Sequence, residues 1–335
     1  MSQEIDFVIT WVDGEDENWQ KVKRSFLPEN EYGDQKERYR NWHLTRYWFR
    51  GVEQYAPWVR KIHFVTWGHL PPWLDTENEK LHIVRHEDFL PKEMLPTFNS
   101  SIFELYVHRI EGLSEQFVLF NDDMFLTGSV KPEFFFRKGK PRDMLALQPV
   151  VANPDNPGMS HVFLNNMLVL AKYFKKRDCA RKHPGHFFHV GYPALYFFYN
   201  LLEMLFRQWT GLYTVHGPSP FLKSTFERLW DSEGDYFCEL ERNRFRADTD
   251  VNQYLFREWQ KLSGNFCPGN VQRSFRYFEI TDSNEKALEA IAGGRYDLIC
   301  VNDTGLTQDV ERVREELRHA FEKRLPGKSS FEKSE

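Results

Sequence analysis

Residues 117–125 (FVLFNDDMF) contain the side chains of this chain that are best suited to chemistry. Two adjacent carboxylates, Asp122 and Asp123, follow Asn121 at the end of an apolar run, and a second apolar run begins directly after them. Neighbouring carboxylates at the end of a buried strand repel each other and resist desolvation unless positive charge compensates them. A divalent cation that carries a diphosphate would supply this charge, which favours a metal-assisted site for a nucleotide or nucleotide-sugar. A polar turn that caps the next element is the open alternative.

Three other apolar runs also end in polar residues. The carboxyl ends of parallel strands lie at one edge of a sheet, so we expect these clusters to meet the aspartates in space. Acids can hold a divalent cation through oxygen, a histidine can exchange a proton near neutral pH, and guanidinium groups suit phosphate oxygens. A core histidine and a surface salt bridge are the alternatives for single members. The clusters are Trp11-Val12-Asp13-Gly14, His216 and Asn302-Asp303, and the arginines are Arg244 and Arg246.

The elements that must position these side chains alternate between strand and helix. The apolar patterns predict strands at 5–12, 61–67, 81–84, 117–121, 212–215 and 297–301, and helices at 42–55, 100–110, 220–230, 252–259, 285–292 and 307–321. This alternation predicts an α/β, Rossmann-like fold with a mostly parallel sheet and helices on both faces.

The predicted organisation has four parts. Residues 1–140 form the N-terminal half of a nucleotide-sugar-binding catalytic domain, and residues 211–322 form its C-terminal half. Between them, residues 141–210 form a helical insertion rich in histidine, aromatic and basic side chains. Residues 323–335 form a polar tail that we expect to be disordered.

Composition excludes several classes of protein. The 335 residues are 41% hydrophobic and 16% aromatic, which argues against disorder, and the net charge of −5 argues against a nucleic-acid partner. The four cysteines lie far apart without a CxxC pair, which favours reduced thiols in the cytoplasm. We find no signal-peptide pattern and no apolar run of about 18 residues. The most apolar run, residues 192–206, favours a buried helix, with a surface that touches lipid as the alternative.

With these motifs in view, the chain resembles the Stealth family of sugar-phosphate transferases. Its members make bacterial capsular polysaccharides and exopolysaccharides, and they include the catalytic subunit of the animal lysosomal-enzyme N-acetylglucosamine-1-phosphotransferase. Four regions carry the resemblance. They are residues 5–16 (IDFVITWVDGED), residues 38–74 continuing through 95–126, residues 215–230 with 243–252, and residues 298–304 (LICVNDT), where Thr304 stands in place of the second aspartate of many members.

The resemblance implies a set of site residues. The catalytic positions of the family fall on Glu104, Asp123, His216 and Arg246, although helical spacing alone would not single out Glu104. We assign donor binding to Thr10, Trp11, Asp13, Gly14, Arg244 and Asn302, and metal binding to Asp122, Asp123 and Asp303. The expected cofactor is a divalent metal, Mg or Mn.

The implied reaction moves a hexose or N-acetylhexosamine 1-phosphate from a UDP-sugar to a hydroxyl of a glycan or polysaccharide, and it releases UMP. His216 or Glu104 would take the proton of the attacking hydroxyl. A metal-dependent glycosyltransferase that releases UDP and a non-catalytic glycan-binding module are the alternatives. The expected location is the cytoplasm, with peripheral association at the inner face of the membrane as an option, and the oligomeric state is left open.

Overall fold

The computed structural model describes residues 4–27, 36–154 and 156–334. Its strands are β1 (Ile5–Trp11), β2 (Ile62–Thr66), β3 (Leu81–Arg85), β4 (Gln116–Asn121), β5 (Met124–Leu126), β6 (Phe136–Arg137), β7 (Lys140–Asp143), β8 (Ala146–Leu147), β9 (Leu212–Tyr213), β10 (Ser219–Leu222), β11 (Cys267–Pro268), β12 (Phe275–Ile280) and β13 (Leu298–Asp303).

The helices fall mostly where the apolar spacing predicts them. They are α1 (Glu17–Phe26), α2 (Thr45–Tyr55), α3 (His86–Phe89), α4 (Ser100–Phe103), α5 (Pro132–Phe135), α6 (Pro157–Tyr173), α7 (Lys176–Lys182), α8 (Pro184–Phe187), α9 (Ala194–Glu203), α10 (Lys223–Leu240), α11 (Tyr254–Leu262), α12 (Glu285–Gly293) and α13 (Val310–Arg324). Short 3₁₀ helices span Lys36–Tyr39, Lys92–Met94 and Glu104–Arg109.

The central sheet has five strands in the order β10-β4-β1-β2-β3. Strands β4, β1, β2 and β3 are parallel, and β10 joins β4 in antiparallel orientation. The chain runs outward from β1 in both directions, so the order reverses between β1 and β4. In open α/β sheets, ligands bind beyond the carboxyl ends of the strands at such a reversal. Thr10 is paired with Asn121 there, which brings the Asp13 and Asp122-Asp123 segments to the same edge.

Helices cover both faces of the sheet because its strands alternate between two apolar cores. On β1, Phe7 and Ile9 face the core that contains Trp48 of α2 and Phe321 of α13. Val8 faces the other core, which α10 and α11 complete. The predicted α/β, Rossmann-like architecture with a mostly parallel sheet is therefore confirmed.

One part of the prediction is wrong, because the four polar-tipped strands do not share one sheet. Only β1 and β4 lie together in the parallel sheet. Strand β9 has two residues and pairs with β8, and β13 lies in a second sheet of order β12-β13-β5. This second sheet joins the first through the Asp122-Asp123 turn, since β5 follows β4 directly. The clusters meet through that turn.

The expected disorder of the tail is wrong for residues 323–334. Phe331 is buried against Phe49 of α2, and the Arg50 guanidinium binds both carboxylate oxygens of Glu332 at 2.7 and 2.9 Å. A buried arginine needs a partner, which the polar composition of the tail did not indicate. Within the described residues, we find no helix long and apolar enough to span a bilayer.

Candidate active site

Asp123 lies in the turn between β4 and β5, beside the point where the strand order reverses. Its Oδ2 accepts a hydrogen bond from His216 Nε2 at 3.1 Å and another from the Cys300 thiol at 3.1 Å. Its Oδ1 is buried and has no hydrogen-bond partner among the described residues. A buried carboxylate oxygen without a partner is costly unless a ligand satisfies it. The turn therefore presents one carboxylate oxygen that is available for a cation or a proton.

His216 lies in the loop between β9 and β10 and is held on both sides. Its Nδ1 contacts the Tyr254 hydroxyl at 2.8 Å, and its Nε2 faces Asp123. Burial alone would lower the pKa of His216, but the Asp123 carboxylate outweighs burial and raises it. The ring is 32% exposed. The histidine is thus oriented, reachable from solvent, and biased towards its charged form.

The loop of His216 departs from the predicted strand at 212–215 for a local reason. The Val215 carbonyl accepts a hydrogen bond from Arg257 Nη1 at 2.8 Å, so it does not pair with a neighbouring strand. The Arg257 guanidinium also binds Asp143 through two hydrogen bonds of 2.6 and 3.1 Å. A buried ion pair therefore fixes the backbone that carries the histidine.

Glu104 begins the 3₁₀ helix that follows α4. The α4 cap is Asn99, whose Oδ1 accepts the Ser101 N–H at 3.1 Å. The Glu104 side chain is buried, and its Oε2 accepts the Gln253 N–H at 3.4 Å. Burial raises the pKa of Glu104 to about 7, against the opposing effects of Arg246, Gln253 and His216. Glu104 is therefore a carboxyl group that can exchange a proton near neutral pH.

Arg246 lies close to these groups on the segment before α11. Its Nη2 donates to Ser100 Oγ at 3.0 Å, and its positive charge acts on the pKa of both Glu104 and His216. Asn99 ties this segment to α4 by donating to the Asn243 and Phe245 carbonyls at 3.1 Å each. The structure thus brings together all four residues that the family resemblance implies to be catalytic, and their roles stay predictions.

The predicted nucleoside end of the site is more tightly packed than the sequence suggested. The Trp11 ring is buried in the core against Phe64, so it is not available to stack on a base. Asp13 Oδ1 accepts hydrogen bonds from Glu15 N and Asn41 Nδ2. A Cβ on Gly14 would lie 1.8 Å from the Tyr39 carbonyl oxygen, which explains the glycine by close packing. Thr10 is half-buried at the end of β1, beside Asn121.

The assignment of Arg244 to the donor is not supported by its contacts. Its guanidinium donates to the backbone carbonyls of Met94, Pro96 and Glu93 at 3.2, 2.6 and 3.3 Å. An arginine that donates to three carbonyls holds the loop in place, and the predicted role of Arg244 in donor binding stays a prediction.

The end of β13 also differs from its predicted role. Asp303 Oδ2 accepts hydrogen bonds from Arg40 at 2.8 Å and from Trp42 Nε1 at 3.2 Å, and its Oδ1 accepts the Gly305 N–H. Arg40 already compensates the charge of Asp303, and metal binding by Asp303 stays a prediction. Asn302 donates to the Tyr277 hydroxyl at 2.9 Å.

The residues that could hold a metal ion are Asp123, His216 and Cys300, whose donor atoms all lie within 4.8 Å of one another. The free Oδ1 of Asp123 fits a divalent cation. The nitrogen and sulfur donors suit softer transition metals better than Mg²⁺, which prefers oxygen. Asp122 is exposed in the same turn and is not a member of this set.

Two members of the site were missed by sequence reasoning. Cys300 lies within the apolar run of β13, and no feature of that run distinguishes it from a core residue. Tyr254 is the first residue of α11, and its contact with His216 depends on the tertiary arrangement. Neither could have been found from spacing.

Comparison with known proteins identifies relatives of this chain. Residues 3–31 match the model of Stealth protein conserved region 1, and residues 38–143 match that of conserved region 2. A capsular polysaccharide phosphotransferase of Streptococcus pneumoniae is 38% identical over 99% of this chain and 98% of its own length. A receptor polysaccharide phosphotransferase of Streptococcus gordonii is 36% identical over 99% and 100%, and an exopolysaccharide phosphotransferase of Lactiplantibacillus plantarum is 35% identical over 98% and 96%.

Two solved structures have a similar but distant shape. The galactosyltransferase LgtC aligns over 94% of this chain and 95% of its own at a TM-score of 0.39 and 11% identity. Mouse xyloside xylosyltransferase 1 aligns over 90% and 98% at a TM-score of 0.38 and 10% identity.

Proposed function

The chain belongs to the Stealth family, and on that premise we propose that it transfers a sugar 1-phosphate from a UDP-sugar to a glycan hydroxyl in polysaccharide synthesis. It is a transferase enzyme, since relatives at 35–38% identity over nearly the whole chain are named polysaccharide phosphotransferases. The observation that carries the proposal is the gathering of Asp123, His216, Glu104 and Arg246 beside the reversal of strand order.

The proposed reaction takes place at the phosphorus atom that bears the sugar. The acceptor oxygen forms a bond to this phosphorus, and the bond from the phosphorus to the bridging oxygen of the diphosphate breaks. UMP leaves with that oxygen and its electron pair, and the acceptor proton passes to a base. The product is a phosphodiester between the glycan and the sugar. Positioning and charge neutralisation dominate the catalysis of such transfers.

We assign the role of base to Glu104. Both ring nitrogens of His216 already have protein partners, at 2.8 and 3.1 Å, and its raised pKa favours the charged ring. Glu104 has a pKa of about 7, so a large fraction is ionised at neutral pH and it can accept a proton. His216 and Arg246 then provide positive charge for the phosphate oxygens.

A divalent cation is the proposed cofactor, with Asp123 as its main protein ligand. The buried, unpartnered Oδ1 supports this assignment. When bound, the cation would neutralise charge on the diphosphate of the donor. We retain Mg or Mn as the proposed metals, because both accept carboxylate oxygens as ligands.

The proposed place of action is the cytoplasm. All four cysteines are free in the structure, and Cys300 donates to Asp123 as a thiol, which a reducing compartment preserves.

The test is the nucleotide that the enzyme releases. The purified chain would be incubated with UDP-N-acetylglucosamine or UDP-glucose, a panel of oligosaccharide acceptors, and Mn²⁺ or Mg²⁺, and the nucleotides would be separated by ion-exchange chromatography. We expect UMP, formed in proportion to a new phosphodiester signal in the phosphorus NMR spectrum. Release of UDP would indicate a glycosyltransferase, and an unchanged donor with every acceptor and metal would indicate a glycan-binding module.

A further inference from the structure

Helix α9 buries polar side chains and exposes apolar ones, which is the reverse of an ordinary surface helix. Its inward side carries Asn200, whose amide accepts the Leu147 N–H at 2.6 Å and donates to the Leu145 and Phe187 carbonyls at 3.0 and 2.6 Å. Glu203, one turn on, is also buried and accepts a hydrogen bond from the Thr210 hydroxyl. Surface helices normally bury apolar side chains and expose polar ones. Hydrogen bonds therefore attach α9 to the protein, and its apolar side is left outside.

The outward side of α9 and the residues after it form a concentrated apolar surface. Of the fifteen exposed large hydrophobic side chains in the described residues, eight lie between 195 and 206. These eight are Leu195, Phe197, Phe198, Tyr199, Leu201, Leu202, Leu205 and Phe206. Scattered exposed apolar residues are normal, but a continuous patch indicates an interaction surface. We refer to Leu195, Phe198, Leu201, Leu202 and Leu205, which follow helical spacing, as the α9 surface.

Basic side chains border this surface in an otherwise acidic protein. Residues 172–207 carry seven Lys and Arg residues against two acidic ones, whereas the whole chain has a charge of −5. Of the seven, Lys172 pairs with Glu233 at 2.7 Å, Arg181 pairs with Asp178 at 3.6 Å, and Lys176 is buried. The buried Lys176 Nζ donates to the Glu203 carbonyl at 2.9 Å, which fastens the start of α7 to the end of α9. The exposed Lys175 and Arg177 on either side of it therefore lie near the apolar surface.

We propose that the α9 surface docks this enzyme on an anionic membrane. The apolar side chains would enter the boundary between headgroups and acyl chains, while the basic residues would lie at the level of the lipid phosphates. A second copy of the chain fits this surface less well, because a symmetric dimer would bring the two basic borders together. The proposal goes beyond the transferase activity and does not depend on its substrates.

The position of α9 also suits an acceptor that is held at a membrane. The Tyr196 ring, on the inward side of α9, packs on the Tyr213 ring of β9 with centroids 4.7 Å apart. His216 follows Tyr213 by three residues. Docking through α9 would therefore place the catalytic histidine within a short distance of the bilayer surface.

Vesicle flotation with the full-length chain tests the proposal without donor or acceptor, so its failure is separate from a failure of the proposed reaction. We expect binding to vesicles of phosphatidylcholine with phosphatidylglycerol, and much weaker binding to phosphatidylcholine alone. The double variant Phe198→Glu/Leu202→Glu should lose at least about tenfold in vesicle affinity, since two apolar anchors become charged. Both side chains are exposed, and circular dichroism would verify that the variant is folded.

Two matched variants control the experiment. Leu306 is 58% exposed but lies outside the α9 surface, so Leu306→Glu should bind as the wild type does. Lys175→Glu/Arg177→Glu should weaken binding to anionic vesicles only, whereas Lys286→Glu on α12 should have no effect. The proposal is overturned if the wild type binds neither kind of vesicle, or if Phe198→Glu/Leu202→Glu floats as well as the wild type. It is equally overturned if light scattering shows that the wild type is a dimer that this double variant converts to monomers.

Discussion

At the scale of single residues, the site depends on environments that shift how its groups bind protons. Burial raises the pKa of Glu104, whereas the Asp123 carboxylate raises the pKa of His216 against the effect of burial. Pairs of titratable groups with different environments are typical of acid–base sites. The two groups also come from distant parts of the chain, which shows that tertiary packing creates their chemistry.

The first prediction concerns Glu104. Glu104→Gln should lower kcat by roughly two to four decades if Glu104 is the general base. Because burial raises the pKa of Glu104 to about 7, the wild-type rate should fall as the pH drops below about 7, and this limb should be absent in the variant. Initial rates across pH measure both effects. Glu111→Gln, at an exposed position further along the chain, is the control, and an unchanged acid limb in Glu104→Gln would contradict the assignment.

Variants of Arg246 and Arg244 are a matched pair. They distinguish the neutralisation of charge on the donor from the stabilisation of a loop. Arg246→Ala should lower kcat by roughly two to three decades while the fold is retained, since a group that stabilises developing charge is lost. Arg244→Ala should instead lower the free energy of unfolding by about 1–3 kcal/mol, because it leaves backbone carbonyls without donors. Steady-state kinetics and urea unfolding on both variants measure these effects. Equal losses of turnover per folded molecule would refute the distinction.

At the scale of elements, sequence patterns predicted β1 to β4, β9, β13 and most helices, but not β10, β12 or the other short strands. The runs at 5–12, 61–67 and 81–84 became β1, β2 and β3, because apolar β-branched and aromatic residues fill a sheet buried on both faces. The run at 212–215 forms only the short strand β9, because the Val215 carbonyl accepts a hydrogen bond from Arg257. A side chain that competes for a backbone carbonyl leaves no trace in local hydrophobic periodicity.

As with the strands and helices, the sequence predicted part of the candidate site. The family motifs led to Glu104, Asp123, His216 and Arg246, which do lie together. The contacts of Arg244 and Asp303 could not be foreseen, because their partners, three carbonyls and Arg40, come from remote segments. Charged side chains look alike in sequence whether they bind a ligand or each other.

A prediction at this scale concerns the buried pair of Asp143 and Arg257, which joins β7, α11 and the His216 loop. Asp143→Asn should lower the free energy of unfolding by about 3–5 kcal/mol, since it leaves the Arg257 charge buried without its partner. The double variant Asp143→Leu/Arg257→Met should be less destabilised than the sum of the single variants. Urea unfolding of all variants completes the cycle, and strict additivity would contradict a coupled pair.

At the scale of the whole molecule, the C-terminal tail closes the fold by returning to α2. Glu332 and Phe331 pack on the helix that also contacts the central sheet, so the last residues stabilise the catalytic domain. Burial alone would raise the pKa of Glu332, but the Arg50 hydrogen bonds outweigh it and hold the pKa below its ordinary value of 4.5. Because the folded pKa lies below the unfolded value, this stabilisation is present above about pH 4.5 and is lost as the pH falls through the folded pKa.

The corresponding prediction is that Glu332→Gln lowers the free energy of unfolding near neutral pH by about 3–5 kcal/mol, and that the loss shrinks in acid. Urea unfolding at a series of pH values measures it. Glu79→Gln, at an exposed position, should change stability by less than about 0.5 kcal/mol. A loss that is the same at all pH values would indicate a packing effect without the ion pair.

Isotopic labelling of the oxygen that joins the sugar to the phosphorus shows whether the acceptor attacks phosphorus or carbon. A UDP-sugar with oxygen-18 at this position would be converted in the presence of acceptor and metal, and the products would be analysed by mass spectrometry and phosphorus NMR. Attack at phosphorus predicts that the label stays between sugar and phosphorus in the new phosphodiester, and that the released UMP is unlabelled. Label recovered in released UDP would show attack at the sugar carbon and would rule out transfer of a sugar 1-phosphate.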